Sequence, residues 1–506
     1  MKNICILLLL CISTSFSQDK FEVEKLTSRI RISGEIVDMV GEPDLGFLGH
    51  GYEMFGLVPS CPEFYFGVNS YSALTGIRSG FFVFGVTGGI QKSVFNDWMY
   101  LDAGLFLGGG GGSGAPDGGG LMIRPHVDLE AFVNKKIAIR AGLSLIDFPS
   151  GSINSFNVNL GATINTNTYL ANKVITTNQG NSNAFFNKLD IGALSSNLYN
   201  YKKGPLKSDK SVNQNAPNIS LIGAVVKSGY HNNFYGVLKL GGAFVGEVDG
   251  FMMLLSGLGY KLPLTHWLFL DAKGLLGGAG GGNVQFGGGF AAQVEAGIGL
   301  SCSDYFFSVN IGNTYAPNGN FQSNHLDVSV SRNFNIYKNP QINTTELVAS
   351  TAVKREEFGF STYNRAYFSG AKQDKKGRLY DPVFNALGFE IEKKINQHVS
   401  VLGATVWAYQ GNYGAYAEGW LGMQYYHPLS LEWSITAKGL FGAGGGGDIN
   451  LGSGLVYQYS LGIQKFINKR WSFIGNAGQV RAISGNFTPV LFDVGVKLNI
   501  SQLVVK

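Results

Sequence analysis

Three glycine clusters are the first residues of this chain whose spacing suggests chemistry: Gly108–Gly112, Gly277–Gly282 and Gly444–Gly447. A glycine-rich loop cradles phosphate when a Lys-Ser/Thr pair follows its last glycine and a helix N-terminus faces the anion. Neither feature follows any of the three. Glycine also permits positive φ in a tight crossing and lets two backbones approach closely, and that is the better reading here. A second short cluster follows each first one, at Gly118–Gly120, Gly287–Gly289 and Gly452-Ser453-Gly454. The paired clusters are expected to build a loop tip, or a close-packed contact between repeats or with a partner. Gly108, Gly277 and Gly444 mark these candidate contact loops.

Other reactive residue types are scattered. The seven histidines, at 50, 126, 231, 266, 325, 398 and 427, show no metal-site spacing with nearby Cys or carboxylates. No Gly-x-Ser-x-Gly elbow and no plausible triad occurs. No catalytic residue, metal ligand or cofactor is therefore expected. Charges on otherwise alternating stretches are more informative. Asp271 and Lys273 share one strand face and can pair. Asp128, Glu130 and Arg140 lie opposite Val127, Leu129 and Ala131. Asp327 and Asp493 fall in the same register of two copies, and Lys438 alternates with Ala437. In a barrel such charges face the lumen and tune ion selectivity; in the plainer reading they are structural ion pairs.

The elements that must position them come from a triplicated unit. Residues 98–110 read WMYLDAGLFLGGG, residues 267–279 read WLFLDAKGLLGGA, and residues 433–444 read WSITAKGLFGAG. The register holds downstream, where Asn134, Ser303 and Asn468 occupy one position. A period of roughly 165 residues makes this a repeat protein. The third copy is the cleanest. Leu455, Tyr457, Tyr459, Leu461 and Ile463 share one face; Gln458, Ser460, Gly462 and Gln464 share the other. A period of two means a strand with one apolar face. Tight turns at Asn396-Gln397 and Asn468-Lys469 reverse the chain, and about eight strands are expected per unit. Repeat 1 is placed at 18–165, repeat 2 at 166–335 and repeat 3 at 336–506. The Asn-, Thr- and Ser-rich stretches 162–216 and 333–382 are read as part linker, part first strand.

Bulk composition narrows the class. Hydrophobic residues make up 45% and charged residues 14% of the 506, with 72 glycines. The charged share is well below the usual value of about 25%, and the glycine share is near twice the usual value of about 7%. A net charge of +5 with no dense basic tract gives no support for nucleic-acid binding. Residues 1–17 read as a signal peptide: Lys2, an apolar core from Ile4 to Ile12, and Ser15-Phe16-Ser17 as the cleavage site. Cys5 and Cys11 leave with it. Cys61 and Cys302 remain and permit one disulfide at most. No apolar run of membrane-helix length follows.

Alternation does not say which face is inside; strand length and aromatics favour an outward apolar face, with an apolar protein core as the alternative. Stretches of about 10–14 residues suit tilted membrane strands better than globular ones. Phe95, Trp98, Phe132, Trp267, Phe306, Trp433 and Trp471 cluster beside turns such as Asn96-Asp97 and Asn134-Lys135, as an interfacial girdle does. With the Ser-Phe-Ser-Gln signal end and hairpins such as LGFEIEKKINQHVSVLGA at 387–404, the mature chain resembles outer-membrane β-barrel proteins of Bacteroidota. The expected fold is all-β and antiparallel, three tandem repeats of about eight strands, closed as one large barrel or three barrel-like modules. The expected function is a non-enzymatic passive pore or structural envelope component in the outer membrane, with outer-membrane lipid as partner. The resemblance also admits a structural, plug or gating subunit of a type 9 secretion-like export complex, partnered by a larger envelope protein; a periplasmic, membrane-associated position is the alternative.

Overall fold

The computed structural model describes residues 20–58, 60–95, 98–174, 185–199, 218–246, 248, 250–282, 284, 286–338, 345–349 and 353–505. The expected signal peptide and the Asn96-Asp97 turn lie outside them. The described residues form 25 strands and no helix. The first barrel is β1 (Lys20–Val37), β2 (Leu45–Phe55), β3 (Phe64–Ala73), β4 (Phe82–Phe95), β5 (Met99–Gly111), β6 (Leu121–Phe132), β7 (Ile137–Asp147) and β8 (Asn154–Val174). The second is β9 (Phe185–Tyr199), β10 (Ile219–His231), β11 (Phe234–Val245), β12 (Met252–Pro263), β13 (Leu268–Gly280), β14 (Phe290–Cys302), β15 (Tyr305–Tyr315) and β16 (Gln322–Lys338). A short strand, β17 (Thr345–Ala349), precedes the third: β18 (Val353–Phe368), β19 (Val383–Lys394), β20 (Val399–Gln410), β21 (Ala417–Pro428), β22 (Trp433–Gly445), β23 (Leu455–Phe466), β24 (Trp471–Ala482) and β25 (Val490–Val505).

Each set of eight closes on itself with antiparallel neighbours. β8 returns to β1 with pairs running from Lys20↔Val174 to Glu35↔Asn159. β16 returns to β9 from Asn324↔Tyr199 to Lys338↔Phe185. β25 returns to β18 from Val353↔Val505 to Phe368↔Val490. Closure leaves each described barrel wall without a free edge strand. Of the two arrangements the sequence allows, the chain adopts three modules and not one large barrel.

The first barrel extends past residue 165, since β8 runs on to Val174. The strands flanking each closure are the long ones, with β1 at 18 residues, β8 at 21 and β16 at 17. The ends of β8 and β16 fall in the Asn-, Thr- and Ser-rich stretches read as part linker, yet they continue the ladder. At that end the barrels are tied together. Thr345–Ala349 of β17 pairs with Lys20–Glu24 of β1, and Ile336 of β16 pairs with Val504 of β25.

The apolar face points outward. Tyr457, Tyr459, Leu461 and Ile463 are exposed on β23, whereas Gln458, Ser460 and Gln464 are buried. The same holds for Val127 and Leu129 against Asp128 and Glu130 on β6. Polar residues inside and apolar residues outside are the pattern of a barrel whose outer surface meets lipid. Trp98, Trp267 and Trp433 occupy equivalent places beside the short turns and are all exposed. The loops at the opposite end fold inward over each lumen. Phe81 and Phe148 sit over the first barrel, Phe251, Phe286 and Phe321 over the second, and Tyr380, Phe384, Tyr413, Tyr416 and Phe487 over the third, all buried.

Candidate functional site

The period-two rule sends alternate residues of every strand inward. In the first barrel this gathers four arginines and five carboxylates. Asp102 lies at the centre. Arg29 Nη2 donates to its Oδ2 at 2.8 Å, Arg31 pairs with the same oxygen, and the Tyr65 hydroxyl donates to its Oδ1 at 3.0 Å. His126 Nε2 lies 3.1 Å from the same Oδ1. Arg29 Nε donates to Glu53 at 2.5 Å, Arg124 holds Glu35 through two bonds at 2.8 and 3.1 Å, and Arg140 pairs with Asp128. Glu130 accepts from Thr163 Oγ1 at 3.1 Å and faces Arg29 Nη1 at 3.8 Å.

The second barrel uses lysines. Lys239 Nζ donates to Glu295 at 2.9 Å and to Gln293 at 2.8 Å, and pairs with Asp327. Lys273 Nζ lies 2.6 Å from Glu295 and 3.1 Å from Asp271. The Tyr235 hydroxyl donates to Asp271, and the Ser196 hydroxyl to Asp327. In the third barrel Arg365 holds Asp493, Lys438 Nζ donates to Glu390 at 2.6 Å, and Lys497 pairs with Glu392. Glu418 there accepts from Tyr367 at 2.6 Å, Tyr416 at 2.5 Å and Trp420 Nε1 at 2.9 Å.

All eight charges singled out in the sequence are therefore inside. Asp128, Glu130 and Arg140 are in the first barrel, Asp271, Lys273 and Asp327 in the second, and Lys438 and Asp493 in the third, each buried. Asp271 and Lys273 do form a pair. The partners that complete these networks were not evident: Arg29, Arg31, Glu53, Asp102, Arg365, Glu392 and Glu418 among them. One signal was available. In Arg29-Ile-Arg-Ile-Ser-Gly-Glu35, charges alternate with isoleucines, which is an inward and outward face.

Two interior groups contain three potential metal-ligating side chains with ligand atoms within 4.8 Å: Asp102, His126 and Asp128, and Glu295, His325 and Asp327. They come from different strands, which is why linear spacing does not show them. In the first, Arg31 and Arg140 already occupy the carboxylates; in the second, Lys239 bridges both. The chain's own cations thus fill the role a metal would take. Two small cavities lie among these interior groups of the second and third barrels. A cavity of about 10 Å³ lies by Lys239 and Gln293, and another of about 10 Å³ by Glu390 and Lys438. Each has room for about one water. Cys61 and Cys302 are both unpaired.

No protein-family model matches the chain, and no curated protein does. Among solved structures, it is similar to the siderophore receptor PirA from Pseudomonas aeruginosa, at 10% identity, a TM-score of 0.28, and coverage of 94% of this chain and 80% of that one. It is also similar to OpdQ from the same organism, at 10% identity, a TM-score of 0.20, and coverage of 95% and 98%. The outer membrane protein opdK, again from Pseudomonas aeruginosa, matches at 10% identity and a TM-score of 0.22, over 95% and 99% of the two chains. Likeness at this level carries no functional argument. The barrel assignment rests on the three closed ladders and on the direction of their apolar faces.

The glycine clusters lie at the loop end of the walls. Gly108, Gly277 and Gly444 each turn their open side to their own barrel, toward Phe106, the Leu254 carbonyl and the Ala417 carbonyl. Contact with a neighbouring barrel begins one residue later in the first two clusters. A Cβ on Gly109 would meet the Trp407 and Ala408 carbonyls of the third barrel, and one on Gly278 would meet Ser72 of the first. The buried carboxyl of Asp117, in the loop between β5 and β6, accepts from the Gly112 N–H at 2.9 Å. Burial pushes that carboxyl up to about 7, against the pull of the Gly112 hydrogen bond and the Arg78 charge.

Proposed function

We propose that this chain is a non-enzymatic outer-membrane protein whose three barrels form one lipid-embedded structural unit of the envelope. The observation that carries the reading is the inversion of polarity: an apolar outer wall around a charged interior. Charged side chains in water-poor interiors are stable only when paired, and here they pair across strands and fill the lumen. Aromatic loop residues close one end of each barrel. A filled and capped lumen favours a structural component over an open pore. In barrels of this type the short turns face the periplasm and the longer loops face outward. The capped ends then lie at the outer surface, and outer-membrane lipid is the partner of the exposed wall.

Fractionation tests the membrane part of the reading. The protein should stay in the outer-membrane pellet after alkaline carbonate and after high salt, and should migrate differently in a gel before and after heating. Release by either wash would overturn it. Planar bilayers test the lumen. Purified protein should give no steady conductance of porin size, and a stable open channel would restore the pore.

A further inference from the structure

The glycine clusters meet partners in a fixed cyclic order. In each barrel a hairpin end carries a buried aromatic whose carbonyl accepts from an alanine N–H: Ala73 to Phe81 at 3.0 Å, Ala243 to Phe251 at 2.8 Å, Ala408 to Tyr416 at 2.9 Å. The residue before each aromatic has positive φ, at 82° for Gly80, 84° for Gly250 and 70° for Ala415. These three form equivalent notches. The paired glycine clusters form equivalent ridges, fastened by Gly110 N–H to Gly120 O at 3.0 Å, Ala279 to Gly289 at 2.8 Å and Gly444 to Gly454 at 2.8 Å.

Each notch holds the ridge of another barrel. Ala415 N–H of the third barrel donates to Gly110 O of the first at 3.3 Å. A Cβ on Gly80 of the first barrel would collide with the Gly281 backbone of the second, and one on Gly250 of the second would come 2.9 Å from the Gly446 nitrogen of the third. The contact is heterologous, since ridge meets notch, and a heterologous contact either closes into a ring or continues without end. Here it closes after three steps and leaves no ridge or notch vacant. Apolar side chains pack beneath it, with Phe84 of the first barrel 4.7 Å from Phe389 of the third, and Met252 and Leu254 of the second in the same cluster.

We infer that the ridge and notch are a self-sufficient assembly surface, whose partner is the next barrel of the same chain. The protein is a covalently joined trimer of barrels that needs its linkers for stoichiometry and not for cohesion. Because the ring is saturated, one chain is the complete assembly by this surface.

The test cuts the full-length protein in detergent micelles at protease sites inserted between Val174 and Phe185 and between Lys338 and Thr345. Denaturing gels should show three fragments while light scattering gives the mass of one intact chain. The same should hold with Leu347→Pro, which breaks the pairing of β17 with β1. Gly119→Leu and Gly288→Leu supply the discriminating variant. Neither position has positive φ, and the three atoms nearest an added Cβ all belong to the neighbouring barrel, at Gly411 and Gln410 or at Leu74 and Thr75. Carrying both, the uncut chain should keep its heat-dependent gel shift, and the cut chain should release the first barrel from the other two, which stay joined through Gly250 and Gly446. Separation of the cut parent, separation caused by Leu347→Pro, or cohesion of all three barrels in the cut double variant would each overturn the inference.

Discussion

Arg365 of β18 and Asp493 of β25 face each other across the seam where the third barrel closes, joined by Nε–Oδ1 at 2.7 Å and Nη2–Oδ2 at 3.0 Å. They are paired in register, and both are buried. A planar guanidinium matched to a carboxylate is the strongest form of this contact. Arg365→Met leaves Asp493 charged, buried and without its main partner, at a cost of about 3–5 kcal/mol. Adding Asp493→Leu should recover part of that loss. Urea unfolding of folded protein in detergent, followed by tryptophan fluorescence, gives both values. A double variant less stable than Arg365→Met alone would contradict the account.

The outer wall should be intolerant of charge at mid-height and the inner wall tolerant of small polar changes. Leu461 is 67% exposed at the centre of β23, and its neighbour Ser460 is buried with an unpartnered hydroxyl. Leu461→Arg is expected to destabilise the protein in lipid by about 2–4 kcal/mol. Ser460→Ala should change stability by less than about 1 kcal/mol, since no hydrogen bond is lost. Unfolding in lipid vesicles compares the two; equal effects would mean that the wall is not in contact with lipid.

Asp117 makes stability depend on pH. It stands where the other copies place Phe286 and Leu451, and its carboxyl is raised to about 7 by burial. The folded chain therefore keeps a proton that the unfolded chain has lost. The stability tied to this proton is full below the unfolded value near 4 and is lost as pH rises to about 7, a change of at most about 4 kcal/mol. Asp117→Asn should flatten this part of the pH profile and raise the melting temperature above pH 7 relative to the parent. Parallel profiles for parent and variant would remove Asp117 as the cause.

Ala415 pays for a conformation that its counterparts adopt freely. Its φ of 70° is the left-handed value that Gly80 and Gly250 take in the other notches. A side chain there costs roughly 1–2 kcal/mol, partly offset by the lower entropy of the unfolded chain. Ala415→Gly is expected to stabilise by about 0.5–1 kcal/mol and keep the hydrogen bond to Gly110. A loss of stability on calorimetry would show that the methyl group makes a contact worth more than the strain.

Much of the architecture was legible. Trp98, Trp267 and Trp433 with the tight turns near them set the repeat and the hairpins, and alternation on β23 gave both faces. Which face points outward needed the exposure of Leu461 and the burial of Ser460. The charges were harder, for a physical reason. Arg29 meets Asp102, and Arg365 meets Asp493, across 73 and 128 residues of chain. Local periodicity marks the inward side of each strand but not which inward residues meet. The long ends of β8 and β16 fall in the stretches read as part linker, because their Asn- and Thr-rich composition hides a ladder that continues beyond the barrel wall. The glycines were read as close contacts, but the cyclic order of their partners exists only in three dimensions.

A ring made of three identical chains must change all its copies at once. Joining the copies in one chain lifts that constraint, and the three barrels here differ in sequence. The first carries Asp117 and Phe148 where the second has Phe286 and Ala316 and the third Leu451 and Ala482. Arginines line the first interior and lysines the second. The chain gains addressable sectors: one of its three outward faces can be altered by mutation while the other two, and the ring that holds them, stay as they are.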